Sequence, residues 1–247
     1  MRLIVGKRVF APRAWAMLVA AAAVAAFAAL GTWQLGRAHE KQAMIAAFGQ
    51  GGRSSLRLGG AAVAGLPRYQ HVTVDGRFDS DHQVLLDNMP SSTGQPGYRV
   101  LTPLRRDDSA RLLLIDRGWV PLGPTRHVLP AVAVAATPRT VAGRLDVLPV
   151  PGVRLGAASA PGATGWPRVL NFPLVADLEA VLGQPVEPRI VLLDGAQPDG
   201  FERQWRPSVG FPPERHLGYA LQWFALAVAV LVAFVAVNLQ GTTEVRP

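Results

Sequence analysis

Two charge-free apolar runs, one near each end, constrain this chain more than any other feature. No Asp, Glu, Lys or Arg occurs from Ala14 to Gly36, nor from Leu217 to Thr243. As a helix rising ~1.5 Å per residue, either run is long enough to cross a hydrocarbon core of ~30 Å. The first, AWAMLVAAAAVAAFAALGTWQLG, is longer than the ~7–15 residues of a signal-peptide core. The second has no polar face, which argues against a half-buried helix of a soluble domain. Both therefore read as membrane spans. Ala21, Ala25 and Ala29 in the first, and Ala225, Ala229 and Ala233 in the second, form small-residue rows that would let the spans pack on each other.

Charge sets the orientation. Arg2, Lys7, Arg8 and Arg13 precede the first span, whereas Arg37 and Lys41 follow it closely with Glu40 between them. The positive-inside rule then places the N-terminus in the cytoplasm, and two crossings return the C-terminus there. The expected layout is a basic leader (1–13), a span (14–36), an extracytoplasmic domain (37–216), a second span (217–239) and a cytoplasmic tail (240–247). The formal charge of +8 divides accordingly: the leader holds +4, and residues 37–216 carry 20 basic against 16 acidic side chains. Half of the excess is thus a topology signal, so nucleic-acid binding is not expected and the bilayer is the first partner. The chain has no cysteine, which excludes a disulfide framework and any thiolate metal site. The short leader, too short for a typical mitochondrial presequence, points to a bacterial cytoplasmic membrane, and the Arg to Lys ratio of 23 to 2 suggests a GC-rich genome.

Between the spans, after a Gly-rich stretch (Gly49–Gly65), alternating patterns predict strands at 71–78 (HVTVDGRF) and 82–88 (HQVLLDN) with Asp79–Asp81 as their turn. Residues 98–104 and 111–120 predict a second hairpin around Arg106–Asp108. Further strands are predicted at 139–147, 189–195 and 201–207, and one helix at Leu174–Leu182 with Gly183 just past its end. The fold class is α+β: two transmembrane helices bracketing an antiparallel β-rich extracytoplasmic domain.

No nucleophile elbow, phosphate-binding glycine loop or zinc-protease motif is present, so the chain does not read as an enzyme. Asp79, Asp81 and His82 could be read as metal ligands, but Asp and Ser are ordinary turn residues. His71 and His127 read as strand and loop histidines with no partner nearby in sequence, and His39, just after the first span, reads as interfacial. His216 differs, because it opens the second span beside Arg215. At helical spacing it shares a face with Tyr219, Ala220, Trp223 and Ala227. Such a face suits a flat apolar macrocycle whose iron needs an axial nitrogen, and equally an interfacial aromatic belt. Trp33 and Arg37 lie one turn apart at the end of the first span. Arg37 and Arg215 could pair with carboxylate arms of a ligand, or simply anchor the helix ends.

Four blocks then carry a resemblance: LGTWQLGRAHEK (30–41), GYRVLTPL (97–104), LIDRGWVP (114–121) and HLGYALQWF (216–224). In this order, and with this span–domain–span layout, the chain resembles the Surfeit locus protein 1 family of cytochrome c oxidase assembly factors. The resemblance implies a role in maturing the largest oxidase subunit, with haem a as a transiently bound cofactor and a haem a synthase as a second partner. It implies His216 as ligand of the haem iron, and Tyr219, Trp223, Trp33, Arg37 and Arg215 around the haem. Gln222 and Gln34 also match the blocks. Arg117, Gly118 and Trp119 match the middle block, as fold-keeping or contact residues. Arg215 stands where relatives often carry Asn, and His39–Glu40–Lys41 replaces an aromatic before the lysine. The lack of cysteine disfavours copper delivery and so favours haem. The alternative is an assembly scaffold that acts by protein contact without haem; a membrane-anchored enzyme is the third reading.

Overall fold

The computed structural model describes residues 3–5, 8–60, 63–126, 128–150, 165–207 and 209–241. His127 and most of the connection at 148–167 lie outside these residues. In chain order the elements are β1 (Leu3–Val5), β2 (Arg8–Phe10), α1 (Ala14–Gly51), β3 (Ser55–Arg57), β4 (His71–Phe78), β5 (Val84–Leu86), β6 (Gly97–Arg105), β7 (Leu112–Pro121), β8 (Pro138–Asp146), β9 (Arg168–Leu170), α2 (Val175–Leu182), β10 (Val186–Leu193), α3 (Pro213–Asn238) and β11 (Leu239–Gly241). They fall into two compact units, residues 46–207 and residues 1–45 with 208–247.

The β-rich unit is built on one sheet in the order β3-β4-β8-β10-β7-β6-β5-β9. Strand β4 also pairs with β6 through Arg77 and Phe78 opposite Arg105 and Leu104. The five strands β4, β8, β10, β7 and β6 therefore close into a small barrel, which removes their edges. Its interior holds Val72, Val74, Phe78, Leu104, Leu113, Ile115, Val141, Leu145, Val191 and Leu193. Alternation on β4 supplies Val72, Val74 and Phe78 inward and leaves Asp75 and Arg77 in solvent, as a half-buried strand requires. Strand β7 is buried on both faces. Leu113 and Ile115 point inward, while Leu112 and Leu114 pack with Leu178 of α2 and Leu170 of β9. Double burial explains the uninterrupted apolar run LLLI in its sequence.

The α+β class holds, and the sheet is mixed: β10 runs parallel to β7, β3 to β4, and β5 to β9. The 98–104/111–120 hairpin forms as β6 and β7, and α2 ends in a left-handed Gly183 whose N–H donates to the Glu179 carbonyl. Other expectations change. Strands β4 and β5 are joined by the Asp79–Asp81 turn but do not pair; β5 lies between β6 and β9. Residues 201–207 form no strand; they lie on the sheet through a bridge from Glu202 to Trp119, the Phe201 N–H to the Arg117 carbonyl and the Trp205 indole N–H to the Leu193 carbonyl.

The turn has a different task from metal binding. The Asp79 carboxylate accepts from Arg105 Nη2 at 2.6 Å and pairs with His82 Nδ1 at 2.8 Å, and among the described residues no three metal-ligating side chains converge. Burial alone would raise the pKa of Asp79, but the His82 and Arg105 contacts outweigh it and hold the carboxyl below its ordinary value. A depressed carboxylate stabilises the fold above its unfolded pKa of about 3.9, and loses that contribution as pH falls through the folded value. Asp79→Asn is therefore expected to lose on the order of 1 kcal/mol at neutral pH. The gap from wild type should close below about pH 4, as thermal unfolding at a series of pH values would read.

In the second unit β2 pairs with both β1 and β11, all antiparallel. Helices α1 and α3 are both long and apolar enough to cross a membrane, and only 6% and 11% of their most apolar windows are buried. A core helix of a soluble protein would hide such a surface. Leu18, Val19, Leu221, Val232 and Val237 instead stand exposed, as lipid-facing side chains do. The two helices pair, but not through the alanine rows: Ala21, Ala25, Ala29, Ala225, Ala229 and Ala233 all face outward. Phe27 stacks on Trp223 with ring centres 5.7 Å apart. Gly31 is buried, and a Cβ there would lie 2.7 Å from the Phe224 ring, so its missing side chain makes room for that phenyl group.

Candidate functional site

The helix pair brings two polar side chains together in an otherwise apolar contact. Pro213 begins α3 at its first turn, where the missing N–H costs nothing, and His216 follows within that turn. The imidazole is 8% exposed. Its Nδ1 lies 2.7 Å from Oε1 of Gln34 on α1, and Phe211 meets the ring edge-on at 6.4 Å. Among the described residues no hydrogen bond reaches His216 Nε2, and that atom is not among the sealed polar atoms of the unit. One nitrogen is thus tied to the neighbouring helix and the other is open.

The remaining sequence-derived residues divide into three groups. Ala220 and Ala227 share the buried face with His216, and Trp223 is half-buried there against Phe27. Tyr219 is 47% exposed and Trp33 58% exposed; both face away from the helix contact. Tyr219 follows His216 by three residues, which puts it about 60° round the helix, at the rim of the stripe that Ala220, Trp223 and Ala227 centre. The arginines differ as well. Arg37 forms an ion pair with Glu40 one turn on. Arg215 lies over the Phe211 ring at 5.4 Å and has no carboxylate partner among the described residues. Gln34 was legible only as part of the first sequence block. The available signal was a lone amide in an apolar helix, since such groups are costly in lipid without a partner.

The family model for the SURF1 family matches residues 21–228. The chain belongs to the SURF1 family. A SURF1-like protein of Monosiga brevicollis is 24% identical over 240 residues, covering 86% of this chain and 83% of that protein. A SURF1-like protein of Rickettsia bellii (strain RML369-C) is 32% identical over 91 residues, 36% of this chain and 37% of its own length. SURF1 proteins are oxidase assembly factors rather than enzymes.

The middle block of this SURF1 chain is buried in the β-rich unit. Arg117 is 1% exposed and sits between the rings of Phe201, at 4.8 Å, and Phe78, at 6.0 Å. Its Nε donates to the Asp199 carbonyl at 2.7 Å, and its Nη1 to Gln83 Oε1 at 2.9 Å and the Val132 carbonyl at 2.8 Å. Burial lowers its pKa to about 10, which still leaves a cation at neutral pH. Asp116 beside it is fully buried and paired with Arg99. Burial raises the Asp116 pKa, against the pull of Arg99 and the Gly118 N–H. Trp119 donates its indole N–H to the Met89 carbonyl at 2.8 Å. The block holds the barrel to the segment around 199–202 and to the loops at 83 and 132.

Proposed function

We propose that this protein is a membrane-bound assembly factor for haem–copper cytochrome c oxidase that binds haem a and aids its insertion into the largest oxidase subunit. The supporting observation is His216: a nearly buried imidazole at the first turn of an apolar helix, with one nitrogen tied down and the other open. Haem iron brings four ligands in its macrocycle and needs only an axial base, whereas a free ion needs several convergent side chains. Haem a is cargo in this reading. His216 supplies an axial nitrogen, and Tyr219, three residues on, and Trp33, next to Gln34 in sequence, supply exposed aromatic surface. Arg215, without a carboxylate partner, is the better candidate than the paired Arg37 to meet a propionate. Trp223 supports the site by packing on Phe27.

The wider setting belongs to the same proposal. The β-rich unit lies on the outer side of a bacterial cytoplasmic membrane, with both termini in the cytoplasm. A haem a synthase supplies the haem and the largest oxidase subunit receives it. The test is co-production with a haem a synthase, purification in detergent, and absorption spectra of wild type and His216→Ala. Wild type is expected to carry haem a, and the variant to carry about tenfold less or more weakly held haem. Equal haem with identical spectra in both would remove His216 as ligand. Absence of haem from both would favour a scaffold acting by protein contact, and a chemically altered haem would reveal an enzyme.

A further inference from the structure

The contact between His216 and Gln34 carries more than packing. A neutral imidazole has one N–H and one lone pair, on different nitrogens. The tautomer decides which nitrogen can bind a metal, and the hydrogen bond made by the other nitrogen fixes that choice. A histidine side chain free in water favours the proton on Nε2, which would block that atom as a ligand. In this protein Oε1 of Gln34, an acceptor, lies 2.7 Å from Nδ1.

We propose that Gln34 is a positioning residue: it holds His216 with its proton on Nδ1 and so presents the Nε2 lone pair outward as a metal ligand. The helix contact fixes the geometry. Gly31, one turn before Gln34, admits the Phe224 ring, and Phe27, one turn earlier again, stacks on Trp223. These contacts set how α1 and α3 are rotated against each other, and Gln34 then meets the imidazole across 182 positions of sequence. An amide suits the task better than a carboxylate. It accepts the proton without placing a formal charge in an apolar contact, where a charge is costly. The use of the lone pair rests on the haem reading above; the tautomer does not.

The experiment is nitrogen-15 NMR of the full chain in detergent with labelled histidine, recorded where the imidazole is neutral, with His216 assigned by loss of its signals in His216→Ala. Wild type is expected to show a protonated Nδ1 and a bare Nε2. Gln34→Leu should move the proton to Nε2 or mix the two forms, and Gln34→Glu should restore the Nδ1–H pattern. A wild-type ring protonated on Nε2 would mean that Gln34 turns its amide nitrogen to the ring, and overturns the proposal. So does an unchanged tautomer in Gln34→Leu. A second readout uses haem added to the same purified proteins: Gln34→Leu should bind about 10- to 100-fold more weakly, with a shifted absorption band. If the tautomer results hold and no variant binds haem, the haem reading fails and the role of Gln34 stands. If haem binds wild type and Gln34→Leu alike and the tautomer does not move, only the role of Gln34 fails.

Discussion

Arg117→Met is expected to destabilise the β-rich unit by about 2–4 kcal/mol, because a buried hydrogen-bonded network loses its donor. Methionine nearly fills the volume but donates nothing. The Val132 carbonyl, which accepts from the guanidinium at 2.8 Å, would lose a buried donor, the Asp199 carbonyl would lose its part-buried one at 2.7 Å, and Gln83 Oε1 would keep only the Thr102 hydroxyl at 3.0 Å. Each such orphan costs roughly 1–3 kcal/mol. The stacking on Phe201 and Phe78 would also go. Lysine should recover only part of the loss, because one ammonium cannot reproduce the forked donation. Thermal unfolding of the whole chain in detergent, followed by near-ultraviolet circular dichroism, would read the change. An Arg117→Met transition within about 1 kcal/mol of wild type would show that the network contributes little.

The second large effect is expected one residue on. Gly118 has φ of +114°, and a Cβ there would lie 2.7 Å from the Glu202 carbonyl oxygen. Valine adds branching at a backbone angle that L-residues avoid, at a cost of about 1–3 kcal/mol for the dihedral alone. It would also push the 201–202 segment off β7. That segment is held by Trp119 N–H to the Glu202 carbonyl at 2.9 Å and by Phe201 N–H to the Arg117 carbonyl at 2.7 Å. Gly118→Val should therefore expose the amides of Trp119 and Phe201 to hydrogen exchange, with a total loss of about 3 kcal/mol or more. Unchanged protection at both amides would contradict the steric argument. Together the two substitutions test whether the middle block keeps the fold, as its burial indicates, rather than meeting a partner.

The legible parts of the fold share a local cause. Strand β4 was readable because one of its faces is wet, so Val72, Val74 and Phe78 alternate with Thr73, Asp75 and Arg77. Helix α2 was readable from Gly183, whose left-handed conformation stops it. What was misread depends on partners distant in sequence. Strand β10 enters between β8 and β7 and makes the sheet mixed, and no pattern inside residues 186–193 encodes which strands flank it. The three-residue strands β3 and β9 have too little length to show a period. The alanine rows suggested the wrong helix faces, because an Ala-rich span offers small residues on every side and the choice falls to Gly31, Phe27 and the aromatic rings of α3.

The candidate site divides in the same way. The sequence by itself determined two apolar spans, an α+β class, the absence of thiolate chemistry and His216 as the histidine to watch, because each of these follows from composition or from spacing within one helix. The tertiary structure alone decided that Tyr219 and Trp33 turn outward, that Arg117 is a buried tie, and that Gln34 is the partner of His216. Rotation of one helix against another, and burial of a charged side chain, are set by packing among residues far apart in the chain.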